Sequence, residues 1–339
     1  MNESTSNRIR YTGFFMTVFM VCYHCPTFEL AEPWGHLDST LTFLVSYVFN
    51  TMGVLVMSWF FMITGFLLFN NLNFSSYCVK IKKRVFSLLI PYLAWQCLIA
   101  VKLLVQKKEE FSLLDFLRRI VAFEVWPFDG ALWYVYAVFI LAVFSPILLL
   151  LFKNKYLGGG FVLVSSVLLQ YVIDRRLFSS ITDYGYIGNI CSYFPSYPIG
   201  AFYGRFSKQF TTSDSLIYAF FMIFVAFLLE GWLPGFTYKI LVRMMPLGIL
   251  YLIPEIPKLK DKSIYKLSFL IYAVHQPLIA DLWPIIQNVY LHISLPTILY
   301  TIFTRVIVLF FAVLIALVIR LPLKKYAPGI LNILTGGRN

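Results

Sequence analysis

Ten apolar runs, each close to the ~20 residues that a helix needs to cross hydrocarbon, follow one another along nearly the whole chain. They cover residues 11–28, 48–70, 86–105, 131–152, 157–173, 186–205, 214–233, 239–256, 266–288 and 297–320. A backbone in lipid must satisfy its own hydrogen bonds, so this pattern predicts an all-α polytopic membrane protein with about ten transmembrane helices. Composition agrees: 60% of the 339 residues are hydrophobic and only 13% are charged, against about a quarter charged in a soluble domain. The chain reads as a single membrane-embedded domain, 1–339, with short tails.

The formal charge of +12 does not point to nucleic acid, because the basic residues lie between the apolar runs rather than along one stripe. Such residues orient membrane helices. With the N-terminus inside, 18 of the 28 Lys and Arg fall in cytoplasmic segments, eight fall outside, and Lys102 and Arg305 lie within spans. The asymmetry predicts that both termini are cytoplasmic. The outer loop before residue 131, with four basic residues, is the exception. The first apolar run has no small-residue cleavage site and reads as a span rather than a signal peptide. The five cysteines give no disulfide framework, and no repeat with a period of 20–50 residues is visible.

Two segments carry finer expectations. The second run begins near Leu41 and is too long for one upright helix, so Asn50-Thr51-Met52-Gly53 is expected to split it into an interfacial piece and a span. In 109–123, Phe111, Leu114, Leu117 and Val121 recur at helical spacing with charges elsewhere, which predicts a helix lying on the membrane surface.

The first run, GFFMTVFMVCYHCPTF over 13–28, ends in Cys22-Tyr23-His24-Cys25. On a helix Cys22 and His24 point about 160° apart, so they cannot share a metal, and no metal site is predicted. An ionisable group at this depth is a functional candidate, and imidazole moves protons near neutral pH. Arg10 precedes His24 by fourteen residues, about 40° off the same face and about 21 Å along the axis. One helix face would thus present a cation near one end and an imidazole near the other.

Lys80, Lys82, Lys83 and Arg84 lead into the third run, with Arg84 nearest its apolar part. Such a cluster suits phosphates, whether of a ligand or of lipid headgroups. Trp133 and Tyr136 are i, i+3 neighbours at a membrane edge, where an aromatic belt and a sugar-stacking platform have the same pattern. Tyr272 and His275 repeat that spacing in mid-run, just before Pro277. His36 and His292 read as loop residues.

FMVCYH, WFFMITGFLLF (59–69), KKRVFSLLIPYLAW, LWYVYAVFILAVFSPIL (132–148), YFPSYPIGAFYGR (193–205) and LSFLIYAVHQP (267–277) occur in this order along the chain. Together they resemble the acyltransferase 3 family of bacterial integral membrane acyltransferases. The resemblance implies transfer of an acyl group, most often acetyl, from cytoplasmic acyl-coenzyme A to a hydroxyl of a cell-envelope carbohydrate. It implies a multi-pass protein of the bacterial cytoplasmic membrane, with acyl-CoA as donor substrate and no permanently bound cofactor. His24 takes the catalytic position. Arg10, Lys82, Lys83 and Arg84 would bind the coenzyme, and Trp133, Tyr136, Tyr272 and His275 the acceptor. The expected partners are acyl-CoA, the carbohydrate and membrane lipids, not nucleic acid, and a homo-oligomer is compatible with the sequence.

Three positions depart from the family pattern. Gly13 stands where a basic residue precedes the histidine by eleven positions, Ser87 replaces a second arginine after Arg84, and Thr64 replaces the signature serine but keeps its hydroxyl. Two rival readings are a transporter or flippase of an envelope precursor, and a non-catalytic partner in a polysaccharide assembly complex.

Overall fold

Helices long enough to cross a bilayer, and apolar on their outward faces, dominate the computed structural model. It describes residues 3–27, 35–108, 112–121, 125–174, 185–206, 243, 245–250, 253–260, 262–293 and 295–338, and every regular element among them is helical. The elements are α1 (Glu3–His24), α2 (His36–Phe69), α3 (Phe74–Arg84), α4 (Ile90–Val105), α5 (Leu113–Val121), α6 (Trp133–Val143) and α7 (Ser145–Leu151). They continue with α8 (Lys155–Asp174), α9 (Gly185–Tyr193), α10 (Ser196–Phe206), α11 (Ser268–His292), α12 (Thr297–Tyr326) and α13 (Pro328–Thr335).

Among the described residues, four stretches meet the length and apolarity of a membrane span: His36–Phe69, Phe74–Val105, Ser263–His292 and Thr297–Tyr326. The pair Gly130–Val143 and Ser145–Leu151, bent by 52°, makes a fifth if it is one span. The expected run 214–233 lies outside the described residues, as do 239–242, 244, 251 and 252 of the expected run 239–256. The expected run 186–205 is divided between α9 and α10, with Pro195 in the turn, where it cannot donate to a continuing helix.

The expected break at Asn50–Gly53 does not occur: α2 runs unbroken for 34 residues. A Cβ at Gly53 would fall inside the ring of Tyr23. This glycine therefore serves close packing of an aromatic ring rather than chain reversal. The surface segment does form a helix, α5, with Leu113, Leu114, Leu117 and Val121 all exposed and Asp115 paired with Arg119. Phe111 lies outside the described residues.

The chain falls into two compact units, one of residues 1–12 and 57–261 and the other of 13–56 and 262–339, so α1 and α2 each contribute to both. In the first unit α10 lies backbone-to-backbone on α2. A Cβ at Gly200 would collide with the Met62 carbonyl, one at Gly204 with that of Phe66, and one at Gly65 with that of Tyr197. Around this seam Trp59, Phe61, Phe66, Phe69 and Tyr197 are almost fully buried.

The carbonyls at the end of α2 are satisfied by cations. Lys80 Nζ donates to Leu68 O and Asn70 O at 2.9 and 2.8 Å, and Arg205 Nη1 to Leu72 O at 2.8 Å. Asn73 then caps α3 in a reciprocal box with Ser76. Before α6, buried Asp129 accepts from Ala131 N–H at 3.1 Å, and its backbone pairs with the Gln96 amide.

In the second unit α11 and α12 pack along one another, and Asp38 caps the start of α12 by accepting from Thr297 N–H and Ile298 N–H at 3.0 and 2.9 Å. One face of α12 buries Thr301, Thr304, Arg305, Val308, Ala312, Ala316 and Arg320, while Phe303, Val306, Phe310 and Val318 are exposed. An apolar outer face around a more polar buried one is the arrangement that lipid imposes.

Candidate functional site

α1 ends at His24, just ahead of Pro26, and this brings the imidazole to the end of an apolar helix with its terminal carbonyls freed. Within the second unit the ring of His275 lies 5.1 Å from it, centroid to centroid, with the planes tilted by 44°. Tyr23 packs edge-on against His24 at 5.0 Å, and Tyr272 stands 5.7 Å from His275. Of the residues singled out in the sequence, His24, Tyr272 and His275 are therefore brought together.

His275 is fully buried, and its Nδ1 lies 2.5 Å from the Tyr272 carbonyl oxygen. A carbonyl only accepts, so Nδ1 carries the proton and Nε2 presents a lone pair. Nε2 is buried with no hydrogen-bond partner among the described residues. Leaving an acceptor in this state costs ~1–3 kcal/mol, which an arriving hydroxyl donor would recover. Cys25, by contrast, spends its thiol on the Val21 carbonyl of its own helix at 3.3 Å.

The first unit holds the basic candidates. Arg84 is half-buried where α3 passes into a π-helical turn, Val85–Leu89, an irregularity often found at functional sites. Its electrostatic neighbours are Tyr197 and Tyr134. Tyr134 donates its hydroxyl proton to Phe60 O at 2.9 Å, so the 2.7 Å bond to Thr64 Oγ1 has the threonine as donor. The hydroxyl at the signature position is thus tied into the wall beside Arg84. Tyr197 has a buried hydroxyl with no partner among the described residues. Lys82 and Lys83 are exposed, as is Arg10; two residues before Arg10, Arg8 is buried and donates to Leu250 O at 3.1 Å.

The aromatic candidates are engaged with other rings. Trp133 is buried at 5.9 Å from Phe61 and 6.1 Å from Tyr193. Tyr136 is half-buried and stacks on Tyr92 at 5.0 Å and 15°. Sequence reasoning gave no role to Tyr134, Tyr197 or Arg305. Arg305 alone had a legible signal, a cation inside a span; the tyrosines sit in aromatic strings that offer nothing to single them out.

Apolar helices of bilayer length, a pair of histidines of which one is fully buried, and a half-buried arginine among phenols define a multi-pass membrane protein with polar sites held within its helices. The family model described as an acyltransferase domain, acyltransferase 3, matches residues 14–319, nearly the whole chain. The chain belongs to the acyltransferase 3 family, and acyl transfer is the chemistry of that class. Comparison with curated proteins and with solved structures gives no match.

Proposed function

We propose that this protein moves an acyl group, acetyl by preference, from cytoplasmic acyl-CoA to a hydroxyl of a cell-envelope carbohydrate. In this reading it acts as one functional domain in the bacterial cytoplasmic membrane, with ten spans and both termini inside. The observation that carries it is the His24–His275 pair in a chain of this family.

His24 takes the proton of the acceptor hydroxyl as that oxygen attacks the thioester carbonyl. The C–S bond breaks, and the departing coenzyme thiolate takes the proton back from the imidazolium. His275, with Nε2 as acceptor, takes a hydrogen bond from a neighbouring hydroxyl of the acceptor, turns the reacting one toward His24, and works with Tyr272 in acceptor binding. Arg84 has the fork geometry that suits the phosphates of the coenzyme, supported by Lys82, Lys83 and Arg10. Trp133 and Tyr136 serve the acceptor as aromatic surface.

The test is mass spectrometry of envelope glycans from cells with the wild-type chain, with His24→Ala and with no chain. The wild type should add the mass of one acyl group per modified sugar, and His24→Ala should abolish it at unchanged protein level. Acylation that survives in His24→Ala removes His24 as base. No mass difference between wild type and deletion favours a transporter or assembly partner, neither of which needs acyl-CoA.

A further inference from the structure

Arg305 lies two turns into α12, the most apolar of the candidate spans among the described residues, and is 5% exposed. Its Nη1 donates to Thr301 O one turn back at 2.7 Å, and Phe49 lies under the guanidinium with Cζ 4.6 Å from the ring centroid. Nε is buried with no acceptor among the described residues, as is the hydroxyl of Thr301 on the same face. No acidic side chain among the described residues pairs with Arg305. Asp38, the acid at this end of α12, is occupied with the helix terminus, about 10 Å or more up the axis.

Such a placement is costly. A cation within a span costs up to ~2.5–3.5 kcal/mol even on insertion scales, and a ring and one carbonyl offset that only in part. The geometry also leaves a specific edge unused. With Nη1 tied to Thr301, the Nε–Nη2 side remains, which takes two oxygens of a carboxylate or phosphate in parallel.

The position of Arg305 indicates which molecule would bring that anion. Its electrostatic neighbours at the end of α1 are Cys22, two residues before His24, and Cys25, the residue after it, while His24 itself meets His275 of α11. A protonated thiol carries no charge to pair with a guanidinium, and Cys25 keeps its proton in the bond to Val21 O. The end of α1 is thus bordered by His275 on one side and, on the other, by a guanidinium with no acid paired to it among the described residues.

We propose that Arg305 holds an anionic group, a carboxylate or phosphate, of the acceptor whose hydroxyl His24 deprotonates. The protein would then select acidic or phosphoryl-bearing carbohydrates over neutral ones. This inference rests on the acyl-transfer reading for the identity of the ligand, but not for its charge.

The full chain is purified into nanodiscs of phosphatidylcholine and, separately, of phosphatidylglycerol, as wild type, Arg305→Gln and Arg305→Lys. The probes are methyl glucuronide, glucose 1-phosphate and neutral methyl glucoside. Binding is read as protection against thermal unfolding, and acyl transfer from acetyl-CoA is read separately. In phosphatidylcholine the wild type should bind a charged probe at least about tenfold more tightly than the neutral one, a difference of ~1.4 kcal/mol. Arg305→Gln should erase that preference while keeping the neutral probe, and Arg305→Lys should keep only part of it.

Equal binding of charged and neutral probes by wild type, or a preference that persists in Arg305→Gln, overturns the proposal. So does protection by phosphatidylglycerol that no charged probe displaces, since the anion is then a lipid headgroup. Charged-probe preference without acyl transfer in the wild type keeps the anion site and sinks the acyl-transfer reading instead. Should Arg305→Gln not fold, the Arg305→Lys comparison decides: an undiminished preference overturns the side-on contact.

Discussion

The rings of His24, at the end of α1, and His275, two turns into α11, lie with centroids 5.1 Å apart. Only one of them, His275, has a tautomer fixed by a bond to backbone, and its free nitrogen has no partner among the described residues. His275→Ala should therefore lower acyl transfer by ~10²–10⁴ with the fold retained, the range typical of a positioned acid–base group. His275→Gln, whose side chain also carries an acceptor, should recover part of the loss. Transfer rates of purified variants check this, and a fully active His275→Ala would end the assignment.

The donor side is expected to divide unequally among its cations. Arg84 is half-buried beside Tyr134 and Tyr197, whereas Lys82 and Lys83 face outward. Arg84→Gln should raise the KM for acyl-CoA about tenfold or more, as loss of ~1.4 kcal/mol or more implies, and Lys82→Gln and Lys83→Gln should each change it little. Steady-state kinetics at fixed acceptor separate the three, and equal effects would mean a diffuse basic patch.

Gly53 and Tyr23 make a contact that a larger residue cannot share. Gly53→Val should push the Tyr23 ring aside, disturb His24 next to it, and destabilise the protein by ~1–3 kcal/mol, as overpacked cores do. Thermal unfolding in detergent and activity should fall together, and Tyr23→Ala in the same chain should restore stability. If Gly53→Val is as stable as wild type, the packing account of this glycine is wrong.

The α2–α10 seam makes a stricter demand, because the colliding atoms are backbone. Gly200→Ala has to separate the two helices at Met62, and a cost of ~1–3 kcal/mol is expected. Gly160→Ala, where a Cβ meets open space, is the control. Equal melting temperatures for the two variants would count against direct backbone contact.

Burial pushes the Asp129 carboxyl, at the mouth of α6, up to about 8, with the Ala131 N–H and Lys102 opposing in part. The folded state then holds a proton that the unfolded chain releases near the ordinary Asp value of ~3.9. Between those two values the folded state binds more protons, so stability falls as pH rises through the window and levels off above about 8. Asp129→Asn, which mimics the neutral acid, should flatten that part of the stability profile. A profile unchanged in Asp129→Asn would show that the carboxyl is ionised in the folded protein.

Several elements were legible because lipid leaves few options. Apolar runs at bilayer length had to become helices, and α2, α4, α11 and α12 lie on predicted runs. The amphipathic pattern of 113–121 likewise gave α5. The break predicted at Asn50–Gly53 failed because a glycine in sequence does not say whether it supplies a turn or makes room for a neighbour. Here the neighbour is Tyr23, from another helix. His24 and His275 were each conspicuous as ionisable groups in apolar surroundings, but nothing in either segment said that they would meet.

By itself, the sequence determined that this chain is helical and membrane-embedded, and the order of its motifs determined its family. Those properties follow from local composition and spacing, since every backbone polar group in lipid must be satisfied within its own helix. The tertiary structure alone decided which polar side chains share a site: His24 with His275, Thr64 with Tyr134, and Arg305 with no acid among the described residues. Helix periodicity fixes the face on which a residue stands, but the partner facing it comes from a distant segment. Whether a buried charge or lone pair is satisfied is therefore settled only when the helices pack.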